Sequence, residues 1–241
     1  MIELYSYPTS NGQKLMIMLE ETGLPWRHID INIRLGDQFS AEHLQRSPNN
    51  KIPAIIDTEG PGGKPYTMME SNAILFYLAE KTGQFLPADP AGRYDVLQWL
   101  IFQSSHLGPM MGQANHFNNH TDVQYGKDRY TQEVARLLRV FENRLAQNEW
   151  VGGSTYSIAD IAIYPWCRNP ASLKLDASTH PAFMRWHKAV EARAAVQRAN
   201  AMAGEIRQRM DLASDTAEAD KRISLYDTRD NLDRLARATA R

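Results

Sequence analysis

Apolar positions recur along this chain with two different periods, and the change falls just after Gly83. Before it, short apolar runs alternate with turn residues. Ile2 to Tyr5 reads as a strand, and Arg27 to Asn32 alternates with Ile29 and Ile31 on one side. Between them, Lys14 to Thr22 places Leu15, Met18 and Leu19 on one helical face, with Gly23 as the stop. Ser40 is placed to cap a short helix, with Phe39 and Leu44 spaced as a hydrophobic staple. Ala54-Ile55-Ile56 is a buried strand, and Pro53 before it marks a strand start or an edge, because proline has no N–H for a ladder. After the Gly60-Pro61-Gly62-Gly63 turn come a last strand near Pro65 to Met69 and a helix from Ser71 to Lys81. The order β-α-β-α-β-β-α predicts a thioredoxin-like domain over residues 1–83.

Residues 84–90, with Pro87 and Pro90, read as a linker, and the pattern over 91–203 is helical throughout. Tyr94 to His106 predicts a helix that kinks at Gly108-Pro109. Val134, Leu137, Leu138, Phe141 and Leu145 form one stripe of a long helix. Ser157 and Asp160 have the spacing of a capping box, ahead of Ile161, Ile163 and Trp166. His180 to Ala194 is a further helix entered through Pro181. Residues 204–241 are highly charged, with sparse apolar positions at Ile223, Leu225, Tyr226, Leu232 and Leu235. An amphipathic helix near Thr228 to Arg237 and a mobile tail both remain open. The fold class expected is therefore α/β plus all-α.

Composition narrows the partners. The chain has 241 residues, 43% hydrophobic, and a formal net charge of −1, which gives no electrostatic reason to expect nucleic acid or an anionic membrane. No apolar run approaches a membrane span, and the N-terminal residues lack a secretory pattern, so a cytoplasmic location is expected. Cys167 is the single cysteine, which rules out an intrachain disulfide or a CxxC pair. His106, His116 and His120 lack acidic partners at ligand spacing, so no metal is expected.

Three stretches in order carry a family likeness: Asn50-Lys51-Ile52-Pro53-Ala54, Glu70-Ser71-Asn72-Ala73-Ile74, and Ser157-Ile158-Ala159-Asp160. With them, residues 1–203 resemble a cytosolic glutathione transferase. Thr9-Ser10-Asn11-Gly12-Gln13-Lys14 is similar to the bacterial nu class and to its relative, the fungal nitrogen regulator. The resemblance implies glutathione as co-substrate, a homodimer, and glutathione-dependent disulfide reduction more than conjugation. A non-catalytic binding or regulatory protein on the same fold is the alternative.

The resemblance assigns roles that the residue chemistry suits. A helix start at Ser71 favours a carboxylate, so Ser71 takes the γ-glutamyl carboxylate and Glu70 its ammonium. The Ile52 main chain, followed by a cis Pro53, pairs with the cysteinyl backbone in the manner of strand addition. Lys51 and Gln38 meet the glycine carboxylate, although from the sequence alone a solvated surface lysine is the better reading of Lys51. Arg129 resembles a second-domain arginine near the ligand, and a surface arginine is an equal reading. Met110, Met111, Phe117 and Trp166 are candidates to line the second-substrate pocket.

Thr9 and Asn11 are the candidate catalytic residues. Lowering a thiol of pKa ~8.5 by ~2 units requires ~2.7 kcal/mol, and hydrogen bonds to an anion supply ~1.5–3 kcal/mol each. The Thr9 hydroxyl and Asn11 amide are therefore sufficient. Ser10 is a competing donor, Tyr5 and Tyr7 are weaker ones, and all three of Thr9, Ser10 and Asn11 are ordinary cap and turn residues. Cys167, among Ile161, Ile163 and Trp166, reads as core filler.

Overall fold

The computed structural model describes residues 1–217 and 228–239. The chain divides into two compact units, Met1–Ile74 together with the residues from Arg198 on, and Leu75–Gln197.

The first unit carries a four-stranded sheet in the order β2-β1-β3-β4. Its elements are β1 (Ile2–Ser6), α1 (Ser10–Thr22), β2 (Trp26–Asp30), α2 (Ala41–Arg46), β3 (Ala54–Asp57), β4 (Tyr66–Met69) and the first turn of α3 (Ser71–Thr82), whose residues from Leu75 on belong to the second unit. β1 runs parallel to β2 and antiparallel to β3, which is antiparallel to β4. The expected βαβαββα order is present. Ser40 caps α2, its hydroxyl accepting from the His43 N–H at 3.2 Å. Gly23 closes α1 with φ of 67°, a left-handed conformation that glycine adopts without strain.

One expectation for this unit is corrected. α1 begins at Ser10, four residues before Lys14, because the Thr9 side chain accepts from the Gly12 N–H and caps the helix there. Of the two readings of Pro53 the structure has the strand start, since Pro53 lies directly before the interior strand β3, and the Ile52–Pro53 bond is cis as expected. α1 is also buried more completely than a one-sided stripe requires, since Gln13, Lys14 and the whole run Leu15 to Leu19 are inside.

The second unit is helical, with α4 (Pro90–Phe102), α5 (Gly108–His120), α6 (Gln124–Gln147), α7 (Ile158–Ile163) and α8 (Pro181–Glu191). The expected kink at Gly108-Pro109 is instead a π turn over Gln103–Leu107, with the Gly108 N–H donating to the Gln103 carbonyl. The wider turn lets the helix continue into Pro109, whose missing N–H would break a regular ladder. The Val134 to Leu145 stripe is buried, and Phe141 meets Trp186 edge-on at 5.0 Å. Asp160 completes the capping box and also accepts from Val151 N–H at 2.9 Å and Trp186 Nε1 at 2.8 Å. Burial pushes its carboxyl up to about 6 against the pull of these donors.

The boundary at residue 204 does not mark a break. α9 (Ala194–Thr216) runs straight through it. Its charges meet opposite charges of the first unit: Arg198 with Glu20, Arg209 with Asp30, and Asp215 with Arg34, each at 2.7 Å. Mixed charge here signals docking. α10 (Thr228–Thr239) covers the helix expected near Thr228 to Arg237, whereas Ile223, Leu225 and Tyr226 lie outside the described residues. Among the described residues no helix is long and apolar enough to cross a membrane.

Candidate active site

Strand register gathers most of the candidate residues at one end of the sheet. Tyr5 on β1 faces Ala54 on β3, Ala54 faces Met69 on β4, and Ser6 faces Asp30 on β2. The segments leaving β1, β2 and β4 and the segment entering β3 therefore emerge together. They carry Thr9 to Asn11, Gln38, Glu70-Ser71 and Lys51 to Pro53 respectively.

At the β1–α1 junction, Thr9, Ser10 and Asn11 are each partly buried. The Thr9 oxygen accepts the Gly12 N–H at 3.3 Å, which leaves the hydroxyl proton available for donation. Capping and thiol binding are thus compatible in one side chain. Gly12 is required by close approach, since a Cβ there would lie 2.3 Å from the Tyr7 carbonyl oxygen. The two tyrosine hydroxyls are committed elsewhere. Tyr5 donates to Glu3 at 2.7 Å, and Tyr7 donates to Asp211. Burial, with the Asp211 carboxylate, pushes Tyr7 up to about 12.

Lys51 is exposed, and its carbonyl is held at 3.0 Å by Nε2 of the fully buried His43. A carbonyl only accepts, so this nitrogen carries the proton, and burial favours the neutral ring by lowering its pKa. Glu70 bridges β4 and α3 with φ of 70°, its carbonyl accepting the Ile74 N–H. Ser71 is the first helical residue and is buried. Lys14 donates to its hydroxyl at 3.1 Å and to Asn72 Oδ1 at 2.8 Å. Burial lowers the Lys14 ammonium to about 7, with the Glu70 charge opposing the fall.

Gln38 is buried, donates Nε2 to the Ile33 carbonyl at 3.3 Å, and has no partner for Oε1. Arg129 belongs to α6 in the second unit, where it pairs with Glu133 at 3.6 Å. In the same unit Met111 is buried and Phe117 packs on Tyr130 at 5.0 Å. Cys167 is fully buried, and burial pushes its thiol up to about 12. Among the described residues no three metal-ligating side chains gather.

Sequence reasoning missed Lys14, His43, Arg207 and Asp211. A lysine immediately before five consecutive apolar residues was a usable signal for Lys14. Arg207 and Asp211 act across long sequence separations and His43 across eight residues, and no local pattern marks them.

Two family descriptions match the chain: "Glutathione S-transferase, N-terminal domain" over residues 1–80 and "Glutathione S-transferase, C-terminal domain" over residues 108–194. The chain belongs to the glutathione S-transferase family. It is 45% identical over 202 residues to the disulfide-bond oxidoreductase YfcG of Escherichia coli, covering 83% of this chain and 94% of that protein. YghU, a second disulfide-bond oxidoreductase of E. coli, is 41% identical over 82% of this chain and 73% of its own length. Among solved structures, a Pseudomonas fluorescens glutathione transferase family member with two glutathiones bound is 44% identical. It covers 82% of this chain and 91% of its own, with a TM-score of 0.78. A Pseudomonas putida glutathione transferase with one glutathione disulfide bound per subunit matches at 43% identity, covering 82% of this chain and 90% of its own with a TM-score of 0.77.

Proposed function

We propose that this chain binds glutathione at the shared sheet end and uses its thiolate to reduce small disulfides. The observation that carries this reading is the meeting of two helix starts at one edge. α3 begins at Ser71 with the buried Lys14 ammonium against its hydroxyl, and α1 is capped by Thr9 with a hydroxyl proton to give. The first suits a carboxylate and the second a sulfur anion.

Ser71, with Lys14 behind it, takes the γ-glutamyl carboxylate, and Glu70 pairs with the ammonium. The Ile52 main chain takes the cysteinyl backbone, with Pro53 ending that segment before β3. Lys51 meets the glycine carboxylate. Gln38, buried with its Nε2 on the Ile33 carbonyl, is assigned to the glycine carboxylate by family resemblance. Arg129 is assigned to the ligand by family resemblance. Thr9 and Asn11, with Ser10 as competitor, donate to the sulfur and lower its pKa by selective stabilisation of the anion.

The thiolate attacks one sulfur of a disulfide RSSR, forming the mixed disulfide GSSR and releasing RS⁻. A second glutathione thiolate attacks the glutathionyl sulfur of GSSR, giving GSSG and a second RS⁻, with solvent protonating the released thiolates. No thiol of the protein takes part, in keeping with the burial of Cys167. The names of YfcG and YghU, and the glutathione disulfide in the P. putida structure, support this direction of chemistry. A homodimer is expected from the same family.

The test is steady-state reduction of a small organic disulfide by glutathione. Asn11→Ala is expected to cut turnover while glutathione still binds. Unchanged turnover would remove Asn11 from the mechanism, and a wild-type protein that binds glutathione without turning over a disulfide, aryl halide or hydroperoxide would leave only a binding role.

A further inference from the structure

Only Tyr7, Pro8 and Thr9 separate β1 from α1. The Thr9 N–H donates to the Tyr7 carbonyl at 2.7 Å, so the chain reverses within a single tight turn. The Pro8 carbonyl and the Thr9 N–H belong to one planar peptide, and fixing the oxygen fixes the plane from which the Thr9 side chain departs.

That oxygen is gripped from two helices. Gln13 on α1 donates to it at 3.4 Å, and Arg207 on α9 donates to it as well. The Arg207 guanidinium also stands 5.6 Å from the Tyr7 ring centroid. One turn further along α9, Asp211 accepts the Tyr7 hydroxyl and, at 3.2 Å, Arg34. A turn beyond that, Asp215 accepts Arg34 at 2.7 Å. Residues 207, 211 and 215 are spaced four apart, so they form one face of the helix. Beside them Asn32 donates to the Met210 carbonyl at 2.9 Å and to the buried Ser214 hydroxyl at 3.0 Å, which ties the segment leading to Gln38 to the same helix. Both family matches end by residue 194, so this face of α9 lies outside them.

We propose that Arg207 and Asp211 are positioning residues, which hold the Tyr7-Pro8-Thr9 turn so that Thr9 and Asn11 face the glutathione sulfur. The inference rests on the glutathione reading and adds to it a region that reading does not use. Ordinary docking does not require this arrangement. Arg198, on the same helix, docks on the carboxylate and the carbonyl of Glu20 near the far end of α1, whereas Arg207 takes a carbonyl inside the turn itself. Displacement of a reacting group by ~1 Å costs up to ~100-fold in rate, so a small relaxation of this turn has a large reading.

The experiment compares Arg207→Ala, Arg207→Lys, Tyr7→Phe and Arg198→Ala with the wild-type full-length chain, using glutathione and a small organic disulfide. Arg207→Ala and Tyr7→Phe are expected to lower kcat roughly tenfold with KM for glutathione held, and to move the thiol limb of the pH–rate profile upward by about half a unit or more. Arg207→Lys restores part of the loss, and Arg198→Ala matches wild type. Should Arg207→Ala not fold, Tyr7→Phe, which keeps the ring and removes only the hydroxyl, decides the matter. An active wild type with Arg207→Ala or Tyr7→Phe sharing its pH profile and kcat overturns the positioning role alone. A wild type with no glutathione-dependent turnover overturns the glutathione reading, and this inference falls with it.

Discussion

The Lys14 ammonium lies 3.1 Å from the Ser71 hydroxyl, joining the helix capped by Thr9 to the helix that starts at Ser71. Its side chain is 1% exposed, and burial lowers its pKa from 10.5 to about 7. Between those values the unfolded chain holds a proton that the folded protein does not. Folding stability from this group therefore rises with pH across the window from about 7 to 10.5, by at most about 1.4 kcal/mol per unit, and is lowest below it. Denaturant titrations at several pH values on wild type and Lys14→Met should show the variant gaining most, relative to wild type, at the acid end. Parallel pH profiles for the two proteins would contradict the burial of a depressed lysine.

Gly12 stands where α1 passes the Tyr7 carbonyl, and a Cβ would approach that oxygen to 2.3 Å. The atom met is main chain, so no flexible side-chain end can yield. Gly12→Ala is expected to cost about 1–3 kcal/mol of stability and to lower disulfide turnover together with it. A melting temperature and kcat both equal to wild type would show that the turn accommodates a methyl group.

His43 supports the Lys51 carbonyl from inside the unit and touches no ligand in this account. His43→Leu removes that donor, so the Lys51 to Pro53 segment loses its anchor while Thr9 and Asn11 are undisturbed. The expected result is a several-fold rise in KM for glutathione with kcat held. A fall in kcat with KM unchanged would place His43 in the chemistry instead.

Cys167 is fully buried, with its thiol pushed up to about 12. Cys167→Ala is predicted to keep glutathione-dependent disulfide turnover and to lose about 1 kcal/mol of stability from the missing sulfur contacts. Loss of turnover in a folded variant would mean that a protein thiol carries the exchange.

The architecture was legible where local chemistry decides it. The Gly23 stop, the Ser40 cap and the Ser157–Asp160 box each follow from two to four neighbouring residues and each stands where the pattern puts it, whereas β2 ends at Asp30, one residue short of Ile31. The start of α1 was misplaced because Ser10, Asn11 and Gly12 prefer turns, and the Thr9 cap outweighs that preference. Thr9, Ile52 and Ser71 could be named from the chain, but their gathering at one sheet end follows from register, which pairs Tyr5 with Ala54 and Ala54 with Met69. Residues from 204 on read as a detached charged segment. Their partners Pro8, Asp30 and Arg34 lie far earlier in the chain, and no periodicity connects an arginine to a carbonyl that distant.

The account depends on a glutathione sulfur held as an anion beside neutral donors. The most direct measurement is the ultraviolet absorbance of the thiolate in the protein–glutathione complex, followed against pH and corrected for free glutathione. The account predicts that the bound thiol ionises ~2 units below its ordinary value of ~8.5, and that Asn11→Ala returns it toward that value. A bound thiol that titrates at its ordinary value in the wild-type protein would contradict it.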